Sequence, residues 1–218
     1  MMFSFFKKNS QLLETEVAGI TFRNPLGADT PKERRTGFIT LTPPKEHILD
    51  WIAQLQDFKG ETVLAVNINN QIVRSFSLVY DFADLIIVDP DSDAGIDAAD
   101  LYETHVLLDE IVSLRLCYEQ YTPVFLRLSH GLTHDEIQSL LSTCQLCGVD
   151  GIAVSGLRVL AEVREITRGR LPLIAMADNA EEALQALSAG ASLVETHMRG
   201  PALCKLLKTL ENQASQTK

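Results

Sequence analysis

Residues 122–200 constrain this chain most, because they repeat one structural unit and then close it. Pro123-Val-Phe-Leu-Arg-Leu-Ser129 is a short apolar run followed by a helical segment. Gly148-Val-Asp-Gly-Ile-Ala-Val-Ser155, Leu171-Pro-Leu-Ile-Ala-Met-Ala177 and Gly190-Ala-Ser-Leu-Val-Glu-Thr196 repeat the arrangement. Short apolar runs separated by single helices read as buried parallel strands in βα units. The helix starts agree. Thr133-His-Asp-Glu136 and Asn179-Ala-Glu-Glu182 each set a side-chain cap ahead of a Glu, the first as a capping box. Each cap lies just beyond a strand, so the helix begins where the strand ends. Such a pattern is half of a (β/α)8 barrel, or the end of a doubly wound sheet.

The rest of the chain favours the barrel. Glu14–Pro25 alternates and stops at Pro25, as a small hairpin sealing one end would. Leu26-Gly-Ala-Asp29 is the first strand and Gly37-Phe-Ile-Thr-Leu41 the second. Only residues 30–36 separate them, too short for a full crossover helix. Residues 47–58 carry a helical stripe; Thr62-Val-Leu-Ala-Val-Asn67 is the third strand, 72–82 the next helix, and Leu85-Ile-Ile-Val-Asp89 the fourth strand. Helical segments at 97–118 and 205–211 complete the alternation, with Pro201 near a first turn. The expectation is one TIM barrel domain over residues 1–218, with a reduced first crossover and an N-terminal hairpin cap. Residues 1–13 read as a loose terminal segment.

A length of 218 residues suffices, since such barrels need at least about 200. A net charge of −10 argues against nucleic acid and against anionic membrane surfaces. No apolar run approaches the ~18 residues of a membrane span. Met1-Met-Phe-Ser-Phe-Phe-Lys-Lys8 is apolar before it is basic, the reverse of a signal peptide, and a cytosolic location is expected. Cys144 and Cys147 form a C-x-x-C inside a predicted helix at 136–147, among leucines. A redox motif should open a helix after a strand, so these thiols read as core.

Several stretches resemble the dihydroorotate dehydrogenases, FMN-dependent (β/α)8 barrels. Val17-Ala-Gly-Ile-Thr-Phe-Arg-Asn-Pro-Leu-Gly27 is similar to that family's first segment, and Gly37-Phe-Ile-Thr-Leu-Thr-Pro43 to its second strand. Leu64-Ala-Val-Asn-Ile-Asn-Asn70 resembles its third. Leu132-Thr-x-x-Glu136 with Gly148-Val-Asp-Gly151 resembles its strands five and six. Ala186-Leu-Ser-Ala-Gly-Ala-Ser-Leu-Val194 and Gly200-Pro-Ala-Leu203 are similar to its closing unit. The resemblance implies flavin contacts at Asn67 and Arg127, the latter where the family has a lysine, and an anion contact at Arg199 and Gly200. Other functional positions depart from the family. Asp29-Thr30-Pro31 stands where a lysine near the flavin is expected, and Pro43-Pro44 replaces the substrate loop. Pro90 is nearest to the position of the catalytic base. Ala175-Met-Ala-Asp178 and His197-Met-Arg199 replace glycines around the flavin phosphate, where Asp178 would repel a dianion. Side chains at Ala175 and Ala177 are expected to block close backbone approach.

Three function classes follow. The first is a dihydroorotate dehydrogenase-like barrel that has lost FMN binding and catalysis and acts as a pseudoenzyme, binding a small molecule or a protein, a homodimer included. The second is an active FMN-dependent oxidoreductase of pyrimidine biosynthesis. The third is another enzyme on the same barrel, using Asp89, His130 and His197 as acid/base or metal groups. Asp89, Asp91 and Asp93 begin a calcium-loop pattern, against which stands a solvated, helix-capping acidic loop. Strand alternation puts Arg127 on the face of Phe125 and Ser129, and the resemblance implies that this is the inward face, since Arg127 stands where the family has a lysine; an internal ion pair with Glu195 or Asp89 is then expected.

Overall fold

The computed structural model describes residues 13–55, 62–90 and 100–216. Residues 1–12 and 91–99, with Asp91 and Asp93, lie outside the described residues. Strands β1 (Thr15–Val17) and β2 (Ile20–Phe22) form an antiparallel hairpin. Ala18 at φ 50° and Gly19 at φ 80° turn it, the paired positive φ values that a two-residue loop needs to match strand twist.

The barrel strands are β3 (Leu26–Ala28), β4 (Phe38–Leu41), β5 (Val63–Ile68), β6 (Leu85–Val88), β7 (Val124–Leu128), β8 (Gly151–Ser155), β9 (Leu173–Ala177) and β10 (Leu193–Thr196). All pair in parallel in chain order, and β10 closes on β3 through Glu195 opposite Gly27. Outside them run α1 (Ile48–Leu55), α2 (Ile72–Val79), α3 (Leu101–Arg115), α4 (His134–Cys147), α5 (Leu157–Thr167), α6 (Ala180–Ser188) and α7 (Gly200–Gln216). The structure is thus the expected closed (β/α)8 barrel, hairpin included. No helix described here is long and apolar enough to cross a membrane.

The missing first crossover helix has a local substitute. Asn24 Oδ1 accepts from the Leu26 and Gly37 amides at 3.1 and 3.0 Å, and its Nδ2 donates to the Arg35 carbonyl at 2.9 Å. One buried amide therefore ties the start of β3 to the start of β4, and residues 29–37 make the connection without a helix. A Cβ on Gly37 would fall 1.8 Å from the Asn24 carbonyl oxygen, so only glycine permits this closeness.

Helix starts follow the predicted caps. Thr133 and Glu136 form a complete capping box on α4, and Asn179 accepts from the Glu182 amide on α6. Cys144 and Cys147 are free thiols buried on the core side of α4, and burial pushes the Cys144 thiol up to about 12.

The pleat divides the core in two. Outward residues such as Val66, Ile86, Leu126, Val154 and Ala175 pack against the helices. Inward residues Phe38, Ala65, Leu85, Phe125, Ile174 and Leu193 fill the lower barrel, joined from below by Val17 and Phe22 of the hairpin. Room for two inward rings comes from glycines on neighbouring strands: a Cβ on Gly27 would sit 2.2 Å from the Phe38 ring, and one on Gly151 2.4 Å from the Phe125 ring.

Two outcomes follow. Gly151→Ala should destabilise the chain by about 1–3 kcal/mol, the usual cost of overpacking a filled core, as read by chemical denaturation. Thiol labelling of the folded chain followed by mass spectrometry should modify exposed Cys117 well before Cys144, because the thiolate is the reactive form.

Candidate functional site

Strand alternation that fills the lower barrel with apolar groups delivers polar ones to its C-terminal end, where barrels of this class carry their chemistry. Asn67, Asp89, Arg127, Ser155, Met176 and Glu195 line a cavity of about 280 Å³ there, with Leu128, Ser129 and His130. A larger groove of about 620 Å³ lies at the opposite end, between the hairpin loop and Thr62, Val63 and Tyr121.

Arg127 is the centre of the mouth. Its side chain is only 10% exposed, and Nη2 donates to Glu195 Oε2 at 3.0 Å, with Glu195 8% exposed. Nε donates to Asn67 Oδ1 at 3.3 Å and lies 3.8 Å from Asp89 Oδ2. Nη1 donates to the Met176 sulfur at 2.6 Å, which also accepts from Ser155 Oγ at 3.2 Å. The expected internal ion pair is present, and it engages both carboxylates named from the sequence. At such burial the Coulomb attraction is less screened than at the surface, and deleting one member leaves a largely buried charge without its partner.

A second cluster sits on the rim. His197 Nδ1 lies 3.0 Å from Asp29 Oδ2, and Arg199 Nη2 donates to Asp29 at 3.2 Å. Burial raises the Asp29 pKa, but the His197 hydrogen bond and the Arg199 charge outweigh it, leaving the carboxyl below its ordinary value. Barrel closure explains this pair, since β10 and β3 are neighbours and their ends must meet. Asp29 is the participant that sequence reasoning did not assign a role; strand adjacency in a closed barrel was the available signal.

The remaining candidates separate. Asp89 and His130 border the same cavity, whereas His197 is held by Asp29 on the rim. His130 gives its carbonyl to Arg158 Nη2 at 3.0 Å. Among the described residues no group of three or more His, Cys, Asp or Glu is placed to hold a metal ion. Asp100 caps α3 by accepting from the Tyr102 and Glu103 amides, the helix-capping role set against a calcium loop. Gly200, at φ 55°, opens α7 directly after Arg199.

One expectation is corrected. Ala175 and Ala177 do not face the mouth; the pleat turns both into the outer core behind β9. Met176, between them, points inward and fills the space with its thioether.

No protein-family model matches this sequence, and neither does any curated protein. Solved structures do. A DHODH from Eimeria tenella in complex with ferulenol superposes with a TM-score of 0.76 at 17% identity, covering 95% of this chain and 85% of that one. A ligand-free type DHODH from the same organism gives 0.79 at 16%, covering 97% and 90%. The chain has the fold of these DHODH structures. At such low identity the likeness is one of architecture, and it agrees with the resemblance read from the sequence.

If the buried pair is as central as its geometry, Arg127→Ala should cost about 3–5 kcal/mol, because it strands Glu195 without a counter-charge. A solvated arginine would cost within about half a kcal/mol. The denaturant midpoint of this single variant measures the difference.

Proposed function

We propose that this chain is a dihydroorotate dehydrogenase-like barrel that has given up FMN binding and flavin chemistry, and that it acts by binding at its mouth. The observation carrying this reading is the Arg127–Glu195 pair, closed over by Met176, in the centre of the barrel end.

A flavin mononucleotide is a poor match to the residues present. The cavity of about 280 Å³ falls below the ~300–1,000 Å³ usual for sites of drug-sized ligands. Its guanidinium is already bonded to Glu195, Asn67 and Met176. A phosphate would look for bare amides at the starts of the last two helices. At α6 the chain already uses two of the amides there: Asn179 Oδ1 takes the Glu182 amide, and Glu182 Oε2 takes the Asp178 amide just ahead of the helix at 2.9 Å. Asp178 adds a negative charge beside them. At α7 the nearest cation, Arg199, is drawn to Asp29.

Catalysis is disfavoured separately. Abstracting a proton from carbon requires a positioned base, whose loss costs about 10²- to 10⁴-fold. Pro90 stands nearest to the family's base position, and Asp89 beside it is engaged with Arg127. The third class, an acid/base or metal enzyme using Asp89, His130 and His197 together, is weakened by the tie between His197 and Asp29.

Two measurements test the proposal. FMN titration followed by flavin fluorescence should give a dissociation constant weaker than about 1 μM, equivalent to roughly 8 kcal/mol. Dihydroorotate-dependent dye or quinone reduction by flavin-supplemented protein should be undetectable. A yellow preparation with tight FMN, or ordinary turnover in that assay, would restore the active-enzyme reading.

A further inference from the structure

Helices α4 and α5 run side by side outside the barrel and leave a groove of about 360 Å³ between them. Gln138, Leu141, Ser142 and Gln145 border it from one face of α4, and Ile166 and Thr167 from the last turn of α5. The volume falls within the ~300–1,000 Å³ usual for small-molecule sites. From Gln138 to Gln145 the wall runs for two helical turns, about 10 Å of axis, enough for an extended alkyl chain.

The floor of the groove is apolar. Leu141 and Val149 are buried in the core, and half-buried Ile166 and Leu171 pack against the same core.

Its charge is of one sign, because Arg170 is the only ionisable group among the described residues that line it. Two successive left-handed residues, Arg168 at φ 52° and Gly169 at φ 65°, close α5 and bring Arg170 back beside its last turn. There Arg170 Nε donates to the Thr167 carbonyl at 3.2 Å, which satisfies one of the orphan acceptors at the helix end. Nη1 and Nη2 donate to no protein group among the described residues, so the planar fork stays open at the edge of the groove. The larger grooves differ. The one of about 620 Å³ carries Arg23 and Asp84, and one of about 550 Å³ between α6 and α7 carries Glu181 and Lys205, so both signs are present in each.

A guanidinium fork meets a carboxylate with two parallel N–H donors. An inorganic anion would use the fork and ignore the floor, and a neutral hydrocarbon would do the reverse. An acid with an alkyl chain uses both. We infer that the α4–α5 groove is a binding site for a medium-chain monocarboxylate, with its carboxylate on the fork of Arg170 and its chain over Leu141, Val149, Ile166 and Leu171.

The test compares octanoate with acetate, 1-octanol and n-octylammonium. Each is titrated into the full chain below its micelle range at fixed ionic strength and followed by ligand-observed NMR. Octanoate should bind saturably and at least ~10-fold tighter than each of the others, about 1.4 kcal/mol. Nuclear Overhauser contacts from its chain should reach the methyl groups of Leu141, Ile166 and Leu171. Arg170→Gln should weaken octanoate by at least ~10-fold while the denaturant midpoint stays unchanged. Equal binding of acetate would reduce the site to a surface arginine meeting any anion and overturn the inference. Equal binding of octanol or octylammonium, no saturable binding of octanoate, contacts to other residues alone, or indifference to a folded Arg170→Gln variant would overturn it as well. Should that variant fail to fold, the probe comparison and the methyl contacts on the unmodified chain decide. The groove lies outside the barrel, so FMN binding at the mouth tests the preceding section and leaves this inference where it stands.

Discussion

A guanidinium placed inside a barrel cannot stand alone, and the upper half of this molecule is arranged around that requirement. Arg127 enters from β7, and its partners come from β5, β9, β10 and the residue that follows β6. Strands from both sides of the barrel are therefore braced through one side chain. A buried ion pair gains no certain stability over a well-packed apolar set, but removing one member is strongly unfavourable. The pair thus fixes which side chains occupy the mouth more than it strengthens the fold. On the proposed reading, the same pair takes up donors that a flavin would otherwise use.

Below this polar layer the barrel is filled with apolar side chains. The hairpin seals its floor with Val17 and Phe22, and Gly27 and Gly151 surrender their own side-chain space to the Phe38 and Phe125 rings. That rigid floor lets the mouth hold fixed geometry. The short connection between β3 and β4 fits the same plan: Asn24 does with three hydrogen bonds what a crossover helix does elsewhere in the barrel.

Much of this was legible in the sequence because it depends on periodicity. Alternation turned Arg127 to the same face as Phe125, and charge burial then required a carboxylate, which narrowed the partners to Glu195 and Asp89. Capping at Thr133 and Asn179 marked helix starts for the same local reason. Ala175 and Ala177 were misread because their likeness to phosphate-site glycines was weighed without applying the alternation that sends them outward and Met176 inward. The Asp29–His197 contact depends on barrel closure, which brings together residues from opposite ends of the chain. Spacing along the sequence carries no record of that. Nor could spacing show that His130 and His197 take different partners, since each lies at the end of its own strand.

The central claim is that Arg127 and Glu195 act as one buried unit, and a double-mutant cycle tests it most directly. Arg127→Ala, Glu195→Ala and the double variant are compared by chemical denaturation at one pH and ionic strength. The account predicts a double variant less destabilised than the sum of the singles by at least about 1 kcal/mol, within the ~0.5–3 kcal/mol found for residues in contact. Each single change strands a charge, and the double change strands neither member of the pair. Additivity within about 0.3–0.5 kcal/mol would contradict the account, because it would mean the two side chains do not depend on each other.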